Sequence, residues 1–233
     1  MMSERDPALD QMAVWDPEWV AIYRQIVAPP GPDGALAPRM AALIDVALAV
    51  SCTARDREQT RATMRAALDH GATRDELLTV LKMAALLAIH SCSLGAPLLQ
   101  AAASERGLAM GAVAGPTPAS DAMRELGQWN AAWDPFAALD PPWTDRFMAA
   151  GIGLYRDEVF SAKDVELLSI AFDASVTHMY APGTARHING ALDAGATPAE
   201  VMAVLKRCVA FGVSALQVGV PILADELMAA GVD

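Results

Sequence analysis

The sequence is poor in aromatic residues and cysteine. Aromatic residues make up 6% of its 233 positions, whereas hydrophobic residues make up 54%. Most of the hydrophobic residues are Ala, Leu, Val and Met, of which Ala, Leu and Met favour helices, and we find no strand pattern. The three cysteines, Cys52, Cys92 and Cys208, cannot all pair and lack the spacing of a metal site. We therefore expect an all-α protein in a reducing, cytoplasmic environment.

Positive charge is also scarce. The chain has 17 Lys and Arg against 28 Asp and Glu, which gives a net charge of −11. A surface of this sign repels phosphate backbones, so we expect no nucleic-acid partner. The charged N-terminus does not resemble a secretory signal. Because we find no run of about eighteen uncharged apolar residues, we also expect no membrane span.

The chain contains two copies of one sequence pattern, displaced by 124 residues. Asp69–Thr73 aligns with Asp193–Thr197, and about nineteen of the roughly seventy positions from 39 to 107 are identical without a gap. A period this long indicates a duplicated domain rather than a solenoid. We predict three parts: a first repeat at 12–108, a linker with a short helix at 109–135, and a second repeat at 136–232.

Local signals predict that each repeat is a set of helices. Thr73 and Thr197 each have a glutamate three residues later, a pattern typical of the capping box that begins a helix. Apolar residues recur at helical spacing in the segments between turn signals. The predicted helices of the first repeat cover about 17–27, 39–52, 56–69, 74–92 and 98–106, and a short helix at 121–129 lies within the linker. In the second repeat a helix begins at Asp140–Pro142, and others cover about 162–174, 184–193 and 197–212.

The two repeats differ in their polar residues, and this difference indicates a site. The second repeat alone carries His178, Tyr180 and His187 at the aligned positions, and the first repeat alone carries His90 and Cys92. The polar groups of the two halves are therefore complementary. We predict one composite pocket to which both halves contribute.

The segment that follows His187 resembles the carboxymuconolactone decarboxylase family, which includes alkylhydroperoxidase D-like proteins. Ala191 and Gly195 lie four and eight residues after this histidine, and a Gly-Ala-Thr turn follows. The resemblance implies an all-α fold of two tandem helical-bundle domains. The peroxidase branch has a Cys-x-x-Cys where this chain has Tyr180 and Gly183, and without that pair we expect no disulfide cycle.

The decarboxylase branch implies cofactor-free loss of carbon dioxide from a lactone acid, with no metal. It also implies a homo-oligomer, a trimer or dimer of tandem chains. Histidine titrates near neutrality, so an imidazole could return the proton to carbon. The candidate catalytic residues are His187, His178, His90, Tyr180, Cys92 and Glu166, the last at a frequent family glutamate position. Arg186 is the candidate for binding a substrate carboxylate.

Each candidate also has a structural explanation. His187 could be a surface or core histidine, His90 a hydrogen-bonded core histidine, and Cys92 an inert buried thiol. The fourth histidine, His70, is expected to be structural because it lies at a helix C-terminus. Three other functions stay open: a metal-dependent enzyme using the His and Cys residues, a thiol peroxidase-like protein, and a non-catalytic scaffold. The deciding question is whether His90 and His187 converge.

Overall fold

The protein is all-α, as the composition predicts. The computed structural model describes residues 6–28, 34–109, 114–156 and 159–232, a part of the chain in which no strand occurs. Residues 110–113 of the predicted linker lie outside these ranges. The helices are α1 (Pro7–Trp15), α2 (Pro17–Val27), α3 (Pro38–Val50), α4 (Arg57–Asp69), α5 (Arg74–Leu86), α6 (His90–Glu105), α7 (Pro118–Glu125), α8 (Asp134–Leu139), α9 (Pro141–Arg156), α10 (Ala162–Ala174), α11 (Ala181–Asp193), α12 (Pro198–Ala210) and α13 (Val213–Ala230).

Both predicted capping boxes are confirmed. The Thr73 hydroxyl accepts a hydrogen bond from the Glu76 backbone N–H, and the Glu76 carboxylate accepts one from the Thr73 N–H at 2.7 Å. Thr197 and Glu200 form the same pair at the start of α12. These bonds satisfy two helix N–H groups that have no partner within the helix, which fixes where each helix begins.

The 124-residue displacement recurs in the structure. Helices α3, α4 and α5 reappear as α10, α11 and α12, each beginning and ending 124 residues later. Arg55 and its equivalent Met179 both have a positive φ, of 51° and 52°. The hydroxyls of Thr53 and Thr177, another equivalent pair, are 2.8 Å apart and hydrogen-bonded. A residue that contacts its own equivalent lies beside an axis of approximate twofold symmetry, which supports the predicted duplication.

One hydrophobic core contains residues of both repeats. It extends from Leu36 to Leu87 in the first repeat and from Phe160 to Cys208 in the second. Helices α3 and α10 are in contact at its centre, where Ile44 and Leu168 have no exposed surface. The predicted repeats thus share a core. Their exact boundaries, 12–108 and 136–232, stay a prediction from the sequence.

A smaller second cluster lies under α6, α7, α8 and α9. Its buried members are Ile89, Ala96, Met123, Phe136 and Met148. Ile89 and Ala96 belong to the 3₁₀ turn Leu87–Ile89 and to α6, so the end of the first repeat packs here rather than in the main core. His90 follows this turn and lies between the two clusters.

Two predicted helix boundaries were wrong. The helix predicted over 74–92 ends at Leu86, and α6 begins only after the 3₁₀ turn. Apolar periodicity continues through this break, so the sequence gives no signal for it. The helix predicted over 184–193 begins earlier, at Ala181, where Pro182 suits a helix start because its missing N–H is not needed there.

Two segments are long and apolar enough to cross a membrane by length and composition alone. They are Arg74–Glu105 and Pro198–Ala230, with mean hydropathy of 1.8 and 1.6. Neither is a continuous α-helix, because a 3₁₀ turn interrupts the first and Phe211–Gly212 interrupts the second. Core helices of soluble proteins have the same properties, so these segments are weak evidence for a membrane protein.

Candidate active site

His187 lies where α11 packs against α10. Its Nδ1 is 2.6 Å from Oε2 of Glu166, a buried carboxylate on α10. Gly190 permits this approach, because a Cβ at that position would lie 2.8 Å from the Glu166 Cδ. A hydrogen bond of this kind fixes both the tautomer and the orientation of the imidazole. The other ring nitrogen, Nε2, lies 3.4 Å from the Arg186 Nη1.

Asp173 lies on the other side of the His187 ring. This residue follows Glu166 by two helical turns on α10, and its side chain is 2% exposed. Its Oδ2 is 3.7 Å from the His187 Nε2 and has no hydrogen-bond partner among the described residues. Gly183 makes room for the carboxylate, since a Cβ there would collide with it. His187 is thus held between two buried carboxylates.

His90 and His178 form a second pair beside the first. The His90 Nδ1 is 2.7 Å from the His178 Nε2, so one ring donates a hydrogen bond and the other accepts it. The Tyr180 ring stacks on His90 with centroids 3.8 Å apart. The His90 Nδ1 is also 3.6 Å from the Asp173 Oδ1. Through Asp173, His90 and His187 converge on one carboxylate, as the composite pocket requires.

Burial controls the protonation of this cluster. Burial, with smaller contributions from the charges of His178 and His187, lowers the pKa of His90 to about 3. Burial also lowers the pKa of His178. It raises the pKa of Asp173 to about 6, against the opposing effect of His187 and Arg186. At neutral pH both histidines of the second pair are therefore neutral, and Asp173 is close to its protonation point.

A cavity of about 110 Å³ opens beside this cluster. One water needs about 10–15 Å³ by this measure, so the space suits a small organic molecule. Its wall is largely apolar, with His90, Asp173 and His187 among the few polar side chains. Glu166 and His178 lie behind this wall, hydrogen-bonded to the two histidines that line it.

Arg186 also lines the cavity, next to His187. Its Nη2 donates hydrogen bonds to the Gln128 backbone carbonyl at 3.2 Å and to the Gln128 Oε1 at 3.0 Å. Gln128 thereby holds the guanidinium in place. The remaining N–H groups could meet a ligand carboxylate, so the predicted binding role for Arg186 has a suitable location.

Cys92 does not join the histidines. It follows His90 by two residues on α6, and side chains at this spacing point to different faces of a helix. Its side chain packs on the second hydrophobic cluster and lines a separate open cleft with Leu99 and Trp143. The predicted catalytic role for Cys92 has no support in this placement. Cys52 is exposed and Cys208 is buried, and all three cysteines are free.

Asp173 is the residue that the sequence analysis missed. The repeat comparison contains the signal, because the aligned residue in the first repeat is Ala49 and the rest of α10 at this end is apolar. An aspartate inside a buried helix is rare unless it has a partner or a function. Among the described residues, His90, His178 and Asp173 also form a group that could hold a metal, with ligand atoms within 4.8 Å of one another.

Comparisons with known proteins agree with this architecture. The profile of the carboxymuconolactone decarboxylase family matches residues 141–225. The fold is similar to a crystal structure from Burkholderia xenovorans LB400, provisionally assigned as a gamma-carboxymuconolactone decarboxylase subunit, with a TM-score of 0.86 and 29% identity. The similarity covers 97% of this chain and 92% of that one. No curated protein is significantly similar in sequence.

The matched residues 141–225 include Glu166, Asp173, His178 and His187, whereas His90 lies outside them. The family similarity thus contains most of the cluster described above. Through this second half, the chain is similar to the carboxymuconolactone decarboxylase family.

Proposed function

We propose that the protein is an acid–base enzyme acting on a small carboxylic acid or lactone, by decarboxylation or by isomerisation, without an organic cofactor. The observation that carries this proposal is the contact of 2.6 Å between His187 and Glu166 at the wall of an apolar cavity. The family, and the similar protein assigned as a decarboxylase subunit, support the same reaction class.

In the decarboxylation, the bond between the substrate carbon and its carboxylate breaks, and the electron pair stays on the carbon skeleton as a dienolate. Carbon dioxide leaves, and the protonated His187 gives its Nε2 proton to the carbon. The neutral ring is then reprotonated from solvent, so the reaction consumes one proton in all. An apolar wall favours loss of charge from the carboxylate, and Arg186 can hold the substrate nearby.

The two carboxylates have different parts in this scheme. Glu166 accepts a hydrogen bond from the His187 Nδ1 and orients the ring. Asp173, 3.7 Å from Nε2, stabilises the imidazolium before the proton is transferred. His178 and Tyr180 act through His90, whose ring contacts both and lines the cavity.

The test compares His187→Ala with Thr63→Ala, the equivalent position of the first repeat. Lactone acids, including gamma-carboxymuconolactone, and unsaturated acids would be incubated with each protein in deuterated water and followed by NMR. Loss of a positioned general acid removes about 10²–10⁴-fold in rate. We expect that loss for His187→Ala with unchanged circular dichroism, and wild-type turnover for Thr63→Ala. Wild-type turnover by His187→Ala would reject the mechanism.

We also propose that the protein is a homo-oligomer that acts in the cytoplasm. Exposed apolar side chains on α6 and α13, such as Leu94, Leu98, Val218 and Ile222, support this because each is more than half exposed. Burial of such surface is the usual driving force for association. Light scattering coupled to size-exclusion chromatography should give a trimer or a dimer, and a monomer would contradict the proposal.

A further inference from the structure

We propose that His90, His178 and Asp173 form a binding site for a divalent transition-metal ion such as Zn²⁺, placed at the wall of the cavity. The site shares Asp173, His90 and His178 with the proposed mechanism, but it includes neither Glu166 nor His187 and does not depend on the proposed reaction. Its ligand atoms are the His90 Nδ1, the His178 Nε2 and a carboxylate oxygen of Asp173, all within 4.8 Å of one another.

The spacing of these atoms is close to that of a metal site. Zinc binds His nitrogen and carboxylate oxygen at about 2.0–2.2 Å, so tetrahedral ligand atoms lie about 3.3 Å apart. The two imidazole nitrogens are 2.7 Å apart, and the His90 Nδ1 is 3.6 Å from the Asp173 Oδ1. Side-chain rotations that move the two nitrogens about 0.6 Å apart and the His90 Nδ1 about 0.3 Å closer to the Asp173 Oδ1 would bring these two pairs to that separation.

Asp173 supplies an independent reason to expect a cation. Its carboxylate is 2% exposed, and its Oδ2 has no hydrogen-bond partner in the part of the chain that the structure describes. A buried carboxylate without such partners is costly, and buried charges are normally paired or bound to metals.

The ligand set indicates which ion fits. Two imidazoles with one carboxylate suit Zn²⁺ or Fe²⁺ better than Mg²⁺ or Ca²⁺, which prefer oxygen ligands. Three protein ligands leave at least one position free, as in catalytic rather than structural sites. Because His90 and Asp173 line the cavity, that free position would face a substrate carboxylate or carbonyl. Tyr180, stacked on His90, would hold that ring in its ligating orientation.

The test is a titration of chelator-treated, tag-free protein with Zn²⁺ in a calorimeter, together with the visible spectrum of the Co²⁺-loaded protein. We expect one ion per chain. Loss of an outer-shell partner costs about 10–100-fold in affinity, so loss of a ligand in His178→Ala should cost at least about 100-fold. His70→Ala is the matched control, because His70 is exposed and far along the chain, and it should bind as the wild type does.

His178→Gln serves as a second variant if His178→Ala fails to fold, and it should show the same loss. Wild-type binding by a folded His178 variant would overturn the proposal, and so would wild-type protein that binds no ion. His187→Ala should keep its metal while losing turnover, because His187 is not a ligand. The metal site and the proposed reaction can therefore fail separately.

Discussion

Helices α3 and α4 of the first repeat have the same lengths and bounds as α10 and α11 of the second, displaced by 124 residues. The buried cluster of Glu166, Asp173 and His187 occurs in the second pair. The aligned pairs are Ala42 with Glu166, Ala49 with Asp173, Gln59 with Gly183, Thr63 with His187, and Ala66 with Gly190. In the first repeat Ala42 and Ala49 are buried among apolar side chains, and the Thr63 hydroxyl donates to the backbone carbonyl of Gln59.

The comparison shows that one helix arrangement can hold a buried polar cluster in one repeat and an apolar core in the other. In α10–α11, glycine replaces larger residues where the two carboxylates need space, and the helices gain polar groups at the expense of apolar packing. The first repeat has alanine in place of both carboxylates, Gln59 in place of Gly183 and Ala66 in place of Gly190. Since both pairs share one core, the apolar packing of α3 stabilises the framework on which the buried carboxylates of α10 are held.

The largest expected effect comes from placing the charge of the second repeat in the first. Ala42→Glu buries a carboxylate at a position 3% exposed, without the histidine that meets Glu166. Leaving one member of an ion pair buried alone costs about 3–5 kcal/mol. Urea unfolding should show a loss of that size. Ala42→Gln is the control of equal size without charge, and it should cost clearly less.

The same variant can be repaired if the two repeats are equivalent. Adding Thr63→His supplies the partner imidazole, and Ala66→Gly supplies the space that Gly190 gives to Glu166. We expect the triple variant to be more stable than Ala42→Glu alone. If Ala42→Glu costs no more than Ala42→Gln, position 42 is not the closed apolar counterpart of position 166.

The next effect concerns the space that Gly183 leaves for the Asp173 carboxylate. In the interior of a helix, Gly→Ala normally stabilises by about 0.5–1 kcal/mol. Gly183→Ala should do the reverse, because the new methyl group would collide with the Asp173 carboxylate and lie 2.7 Å from the Tyr180 Cδ1. Overpacking of this kind costs about 1–3 kcal/mol. The midpoint temperature of thermal unfolding and the turnover rate should both fall for Gly183→Ala. Gln59→Ala, at the aligned position, should change the free energy of unfolding by less than about 0.5 kcal/mol. A more stable Gly183→Ala protein would show that the carboxylate is not held there.

Local signals in the sequence account for most of the fold. Capping boxes at Thr73 and Thr197 locate α5 and α12, and the repeat transfers each boundary to the other half. Helix α1 was not predicted although Asp6 and Pro7 give it a local start signal, an N-cap followed by proline at the first helical position. The 3₁₀ turn before His90 was not predicted either, because apolar periodicity continues through it. The polar residues that each repeat has and the other lacks allowed us to propose that His90 lies near the second repeat. No short sequence pattern specifies that contact.

For the site, the repeat comparison identified histidines more readily than carboxylates. Glu166 was found because the family has a glutamate at that position, whereas Asp173 carries no such motif. The repeat comparison pairs it with Ala49, but its contacts with the two imidazoles, and the space that Gly183 leaves for it, are visible only in the structure. Cys92 is near His90 in sequence, but its side chain points to a different face of α6 and lines a separate cleft, so nearness in sequence did not indicate a shared site.

The smallest expected effect has the opposite sign, because Asp173→Asn should stabilise the metal-free protein. Burial raises the pKa of Asp173 from 3.8 to about 6, so the folded state disfavours the ionised form. Ionised Asp173 therefore lowers the stability of the folded state. This penalty is complete above about pH 6 and disappears as the pH falls below about 4. Removing the charge should raise stability at pH 7.5 by on the order of 1 kcal/mol, the full shift being an upper bound.

The pH dependence of that difference separates Asp173 from its neighbours. His187 and Arg186 attract the carboxylate, Glu166 repels it, and His90 lies 3.6 Å away, but all four remain in both proteins. The lowered pKa of His90 makes both proteins lose stability in acid, so it largely cancels in the comparison. After chelation, urea unfolding of wild type and Asp173→Asn should give curves that coincide near pH 4 and separate between pH 4 and pH 6. A destabilised Asp173→Asn at pH 7.5 would mean that the carboxylate stabilises the fold, as a structural residue does. If Asp173→Asn is more stable but has lost turnover, the Asp173 charge serves the reaction rather than the fold, and the first repeat, with Ala49 at this position, folds without it.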